Sequence, residues 1–582
     1  MVMVASKLGQ LPAEVYSPIL NQLENQCDRM NLARCCRHLY HVVIINDFQA
    51  VEFTCPKYDK VMAPKPPILP GQYQYVKRLE VFPKTSSIFD QCSHDGNYDF
   101  MKYEENALEK GARGGDNDNT LKGKYPYDWI TKMASALGDD KLEIFRWDMK
   151  TCVPGSLLGI RGVITLKQKS LRRLLLETAS YCHVQEPNQM IDSSGFRMLE
   201  QIDWTTPNAA FIATLSIAIK QNAGHLRRLH LHFNNWQRFE RQIREAQFLV
   251  NIREDEPIEV EFANRLFNAS SLKEYPTRHL FPELRDLFLS QVPLSEELAS
   301  AIDFQSLQSL GLHSCPGWDQ FLLRSLSELK SHQKLKTFEI RDDCIAPTTI
   351  ERILNEIISS ISRLEGLFLN HLAPVGTLKM WENITRYQGD LRHFVHHQRQ
   401  IPAERISAYL GRMGVDFGNL SLPGEELIDQ QFSGLNLESI GLSCEPKYFL
   451  KLLPSLKKMP SLKMIHIRRS RYEDKDCWAA FGDDNKLQKQ KLSRETPRPE
   501  FREFIETVFG VEGLPSVEVI AYGNACPHSF YIFERSCGSS SGGAYWHEDN
   551  PQHKALMDKY RHTFEACSWR TTRLGTPPMG SI

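Results

Sequence analysis

The sequence predicts an α/β solenoid, with a parallel sheet lining an inner wall and helices outside it. Two observations predict this. A six-residue phrase with apolar residues at its first, fourth and sixth places recurs along most of the chain. Most of its consecutive copies fall 23 to 29 residues apart, with helix-like runs between them. A third observation sets the N-terminus apart, because there the apolar residues recur at helical spacing instead.

That first stretch runs from Leu11 to Leu39. Leu11-Pro12 opens it, and proline suits a first helical turn, where its missing N–H has no partner in any case. Val15, Ile19 and Leu23 recur at four-residue steps with Leu20 beside them, giving one apolar face. Pro18 stands inside that helix and predicts a kink or a late start. Asp28 is read as the N-cap of a second helix. Leu32, Cys35, Cys36 and Leu39 form its apolar face, and Tyr40 to Ile45 make a third piece. Three short helices in residues 1–48 are too few to bury a good core alone, so a leftover apolar face is available for a partner.

After a bridging segment at 49–75, with a short strand at Ala50 to Phe53 and a proline-rich spacer from Pro56 to Pro70, the repeated phrase begins at Val76. Copies start at Leu142, Leu171, Leu199, Leu226, Leu284, Leu307, Leu335, Leu364, Leu391, Leu437, Leu462 and Val517. Leu226 to Leu284 is 58 residues, so a degenerate copy is expected near Ile258 to Phe262. Leu226 to Asn234 fits LxxLxLxxN and Leu307 to Cys315 fits LxxLxLxxC, where the Asn or Cys satisfies backbone groups inside the turn. Asn208 to Gln221, Trp318 to His332 and Thr348 to Ile361 read as helices. The solenoid is expected over 76–545, interrupted by polar stretches at about 85–124 and 485–500 and by the glycine-rich link Cys537 to Gly543. A last helix, capped by Asn550 with Pro551 at its first position, shares Leu556, Tyr560 and Phe564 on one face. With the tail it makes a segment, 546–582, expected to close the open end.

At these residues two resemblances become specific. The N-terminal stretch resembles the F-box, through Leu11-Pro12, Glu14-Val15, Ile19-Leu20, Leu23, Leu32, Cys36-Arg37 and Leu39. The repeats resemble the leucine-rich repeats that follow the F-box in substrate receptors of SCF-type ubiquitin ligases, particularly divergent, fungal-looking ones. The family implies a three-helix F-box followed by a horseshoe with a parallel inner sheet. It implies that Leu11, Pro12, Val15, Ile19, Leu20, Leu23, Leu32, Cys35, Cys36 and Leu39 meet a Skp-type adaptor, which brings a cullin. A protein substrate, not identified by the sequence, would sit on the concave wall. If the leucines point inward, alternate residues face that wall, among them Arg228, His230, His232, Phe288, Glu339, Arg341, Phe368, His466 and Arg468. Phe288 and Phe368 are the expected exposed apolar anchors.

Composition narrows the alternatives. A net charge of −1 gives no support for bulk nucleic-acid binding. No apolar run approaches a membrane span, and the N-terminus does not read as a secretory signal. Fourteen scattered cysteines without a CxxC pair predict reduced thiols and a cytoplasmic or nuclear protein. No GxSxG, HExxH or phosphate-loop pattern appears, so no catalytic residue, metal or cofactor is expected. His393, His396 and His397 could bind a metal on a helix, but the phrase register makes them a strand. A scaffold acting outside a ligase is the alternative reading.

Overall fold

A computed structural model describes residues 20, 22–23, 26–47, 49–55, 70–83, 128–178, 190–233, 236–245, 257–269, 279–331, 334–342, 353, 356, 361, 363–371, 391–398, 436–442, 446–450, 452–467, 499–523, 530–535, 543–546, 550–560 and 563–564. The polar stretch 85–124, the expected helix Thr348 to Ile361 (but for three residues), and nearly all of 485–500 lie outside them. The chain divides into two compact units, Met1–Ser270 and Ser271–Ile582. Their boundary falls in the long interval between the phrases at Leu226 and Leu284.

In the first unit, helices α1 (Gln26–Ala33) and α2 (Arg37–Asp47) precede the sheet. Asp28 lies inside the first turn of α1 and does not cap it. Its charge still favours that end of the helix dipole. Six parallel strands follow in sequential order: β1 (Ala50–Cys55), β2 (Arg78–Pro83), β3 (Ile144–Asp148), β4 (Arg173–Glu177), β5 (Gln201–Thr205) and β6 (Arg228–His232). Between them lie α3 (Asp128–Ala136) and α4 (Ile212–Asn222); α5 (Trp236–Glu245) and α6 (Ile258–Phe267) follow β6. Helix α6 occupies the place where a degenerate strand was expected. Phe262 and Leu266 recur at helical spacing with Ala263 and Phe267, all four are buried, and Asn268 ends the helix in a left-handed turn.

The second unit repeats the plan. β7 (Asp286–Ser290), β8 (Ser309–His313), β9 (Thr337–Asp342), β10 (Gly366–His371), β11 (His393–Gln398), β12 (Ser439–Leu442), β13 (Met464–Ile467) and β14 (Val519–Gly523) are parallel and sequential. Its helices include α7 (Glu296–Ala301), α8 (Trp318–Ser331), α9 (Pro499–Phe509) and α10 (Pro551–Lys559). Two antiparallel strands that the sequence reading did not foresee, β15 (Phe530–Arg535) and β16 (Gly543–Trp546), continue the sheet past β14.

One hydrogen-bond pattern generates the repeat. Within each unit, the carbonyl at the second place of a phrase accepts from two successive N–H groups of the next phrase. Glu143 receives Arg172 and Arg173, Arg172 receives Glu200 and Gln201, and Glu200 receives Arg227 and Arg228. In the second unit Gln308, Lys336, Glu365, Arg392, Glu438 and Lys463 do the same. The first, fourth and sixth places then point into the core. Leu171, Leu174 and Leu176, or Leu462, Ile465 and Ile467, are each at most 3 % exposed. Such a side chain contributes about 1.5–3 kcal/mol on burial.

The turns after the strands are built alike. Lys150, Thr206, Gln291 and Ser314 all take left-handed backbone, and each donates its N–H to the next strand's end or the turn beyond it. Cys315 behaves as the phrase predicts: its thiol donates to the carbonyls of Leu289 and His313. Two buried amides not singled out in the sequence work at the other end of the strands. Gln168 accepts from the N–H groups of Lys141 and Leu142 and donates to Gly138, while Asn222 accepts from Leu199 and donates to Phe196 and Ala218.

The second place also carries alternating charge. Lys77, Glu143, Arg172, Glu200 and Arg227 succeed one another in the first unit. Lys336, Glu365, Arg392, Glu438, Lys463 and Glu518 do so in the second. Ion pairs join Lys77 to Glu143 (3.0 Å), Glu200 to both Arg172 and Arg227 (3.3 Å each), Lys336 to Glu365 (3.0 Å) and Lys463 to Glu518 (3.2 Å). Exposed pairs like these are each worth about 0.2–1 kcal/mol. Reversing the central charge with Glu200→Lys should therefore destabilise the chain by about 1 kcal/mol at low salt, and most of that should vanish near ~1 M salt, where screening acts over ~3 Å. Urea midpoints at the two ionic strengths measure it, and an equal loss at both would refute a charge-based role.

Candidate interaction surfaces

In the N-terminal segment, Leu20, Ala33, Leu39, Val42 and Val43 form a small buried cluster, with Leu23, Leu32 and Cys36 half-buried at its edge. Of the residues expected to meet an adaptor, Leu20 and Leu39 are thus committed to the chain's own core. Leu23, Leu32, Cys36 and the exposed Cys35 remain at the surface. Leu11, Pro12, Val15 and Ile19 lie outside the described residues. Cys35, Cys36 and Cys315 are free, but Cys152 is disulfide-bonded. This corrects the expectation of uniformly reduced thiols, because proximity in the fold, not spacing in the sequence, decides pairing.

The third and fifth places of the phrases share one face of the sheet, as alternation requires. In the first unit that face is mostly polar and internally paired, with Ile144 and Leu175 as buried apolar members. Arg78 binds Glu80 (2.8 Å) and Glu52 (3.3 Å), while Arg146 binds Asp148 (3.0 Å) and lies over the Phe82 ring. Burial pushes the Glu80 carboxyl up, against the pull of Arg78 and Arg146. Arg173, Gln201 and Arg228 stand side by side in register. Burial, and then the neighbouring Arg228, lower the Arg173 guanidinium. Arg228 and His232 are half-buried, whereas His230 is buried with Nδ1 3.6 Å from Asp203 Oδ2.

In the second unit the same face is largely covered, and this overturns several expectations. Phe288 and Phe368 are only 5 % and 3 % exposed. Glycines explain both. The Phe288 ring lies over Gly311 of the neighbouring strand, where an added Cβ would come within 2.4 Å of Cδ2. The Phe368 ring lies over Gly366, two residues earlier on its own strand, at 3.0 Å from such a Cβ. His313 meets Phe288 edge-on at 4.6 Å and bonds Glu339 through Nε2. Glu339, Arg341 and His466 are buried as well, and Arg468 lies outside the described residues.

The last helix begins as the sequence predicts, with the Asn550 side chain accepting from Gln552 N and Pro551 opening the helix. It packs on a face of the last strands of the sheet. Leu556, Met557 and Phe564 pack on Met464, Val519, Ala521 and Ile532, with Tyr560 alongside. Met464, Val519 and Ala521 hold third and fifth places, so the segment lies on the face expected to be open. Polar contacts fasten its edges. Lys559 Nζ and Tyr560 Oη reach Glu518 at 2.6 and 3.0 Å, Gln552 reaches Glu534 at 3.1 Å, and Thr563 meets Ser439 at 2.7 Å. The Lys559 bond holds the Glu518 carboxyl down and raises the ammonium, and burial with the carboxylate pushes Tyr560 up to about 12.

No protein-family model matches this chain, and no curated protein matches it. Among the described residues no group of histidine, cysteine and carboxylate side chains could hold a metal, and no helix is long and apolar enough to cross a membrane. His393 is in strand β11, as the phrase register predicts, and its Nδ1 lies 3.0 Å from Ser439 Oγ.

If Phe288 is held by the hole at Gly311, then Gly311→Ala should destabilise the second unit by about 1–3 kcal/mol through overpacking. Adding Phe288→Leu should return at least half of that loss. Thermal and urea unfolding of both variants test the coupling, and additive losses would contradict it.

Proposed function

We propose that this chain is the substrate-recognition subunit of an SCF-type cullin–RING ubiquitin ligase, with its N-terminal helices docking on a Skp-type adaptor and its repeats holding a protein substrate. The observation that carries the reading is the pairing of two features. A helical segment too small for a full core keeps Leu23, Leu32 and Cys36 at its surface. It is followed by regular parallel strands, in its own unit and in the second, that present polar side chains at fixed places. The F-box resemblance of Leu11 to Leu39 and the LxxLxLxxC turn at Cys315 support the same assignment.

On this reading the chain does no covalent chemistry. It raises the effective concentration of a substrate lysine beside a ubiquitin-charged enzyme, an effect that alone can supply a large part of a rate enhancement. The partly exposed arginines and histidines of the first unit, Arg228 and His232 with Arg173 beside them, are the side chains available to a substrate.

Co-purification with adaptor and cullin tests the proposal. The intact chain should recover both, and Leu11→Ala/Pro12→Ala/Leu32→Asp should lose both while unfolding at an unchanged temperature. Recovery of adaptor without cullin would turn the reading into a scaffold outside a ligase. Recovery of neither by the intact chain would refute adaptor docking.

A further inference from the structure

The segment from Asn550 to Phe564 shows what the face beneath it is suited to bind. That face presents an apolar floor of Met464, Val519, Ala521 and Ile532. A carboxylate, Glu518, stands at one side and another, Glu534, at the other, each holding a polar group of the segment. The occupant is a short amphipathic helix with two adjacent apolar residues, Leu556 and Met557, and a lysine and a tyrosine about one turn on. Phe564 follows, its ring tilted against that of His466 with 5.7 Å between centroids.

The attachment has the features of a reversible one. A helix of nine residues is marginal in water alone, so its helicity depends on this face. Among the described residues of the segment, three buried apolar side chains, Leu556, Met557 and Phe564, hold it, with the half-buried Tyr560 alongside. Its principal ion pair is open to solvent, with Lys559 56 % and Glu518 41 % exposed. Glu518 is also the last member of the alternating charge row. After Lys463 and Glu518 a cation comes next in the alternation, and the helix supplies it as Lys559.

We infer that the face formed by β12 to β15 is a helix-docking site, occupied in the resting chain by its own C-terminal segment and open by exchange to a partner's amphipathic helix carrying a lysine about one turn past an apolar pair. The cis segment sets the threshold. A tethered ligand competes at an effective concentration in the millimolar range, so a partner must bind more tightly than the segment or act when the segment is displaced. This deepens the reading of the repeats as a binding scaffold and rests on it, but it does not depend on adaptor docking.

The test uses the full chain with a protease site placed between Trp546 and Asn550, and a dye-labelled synthetic peptide of residues 549–566. After cleavage, the nicked protein should take up the peptide saturably by fluorescence anisotropy, at least about ten-fold more tightly than the uncut chain. A peptide with Lys559→Glu should bind about ten-fold more weakly, as loss of a charge-assisted bond requires. A second variant, Leu556→Asp/Phe564→Asp in the uncut chain, should admit the wild-type peptide without cleavage. Failure of the nicked protein and of this variant to exchange peptide would make the segment a permanent part of the core and overturn the proposal. Equal binding by cut and uncut chains would overturn it too, since the segment would not be competing for this face. Adaptor recovery measured on the same preparations separates either failure from failure of the ligase reading.

Discussion

The doubled acceptance by the second-place carbonyl is the constraint on which the rest depends. Within each unit such oxygens, Gln49 through Glu200 and Arg285 through Lys463, take the N–H groups of two consecutive residues in the following phrase. That fixes the register of each strand against its neighbour to the residue. With the register fixed, the alternation of a strand does the rest. The first, fourth and sixth places become core, the second becomes a solvent edge, and the third and fifth become a face. A one-residue slip would send Leu174 and Leu176 outward and Arg173 inward, a cost of several kcal/mol per strand.

The row of alternating charge reads as the side-chain echo of that backbone register. Like charges on adjacent strands repel and opposite ones attract, so the order Lys77, Glu143, Arg172, Glu200, Arg227 favours nearest-neighbour pairing without any single strong contact. The same row explains why the C-terminal helix lands where it does: Glu518 ends the strand series with a carboxylate, and Lys559 and Tyr560 both find it.

How much was legible follows from where the deciding contacts lie. Local patterns were readable. The phrase marked the strands from Arg78 to Gly523, Cys315 announced its turn, Asn550-Pro551 announced a helix start, and His393 was placed on a strand. Residues whose fate is settled by a distant neighbour were not readable. Phe288 is buried because Gly311, on the next strand, has no side chain, and no pattern within one phrase records that. Ile258 to Phe262 looks like a worn phrase, yet Ala263, Leu266 and Phe267 complete a helical face. The destination of α10 depends on Met464 and Val519, nearly a hundred and about forty residues earlier respectively, which share no spacing with it. Of the candidate surface, the second half proved to be covered by the chain's own residues for this reason, while the first half kept the largely polar character expected of it.

Hydrogen exchange at the third place of the phrases tests the central claim most directly, since those N–H groups enter the doubled bonds. The amides of Arg173, Gln201 and Arg228 in the first unit, and of Thr337, Gly366 and Met464 in the second, should exchange only with unfolding of their unit. They should be slower than amides of the outer helix Trp318–Ser331. Exchange of these amides at rates typical of loops, with the helix amides protected, would contradict a fold held in register by its second-place carbonyls.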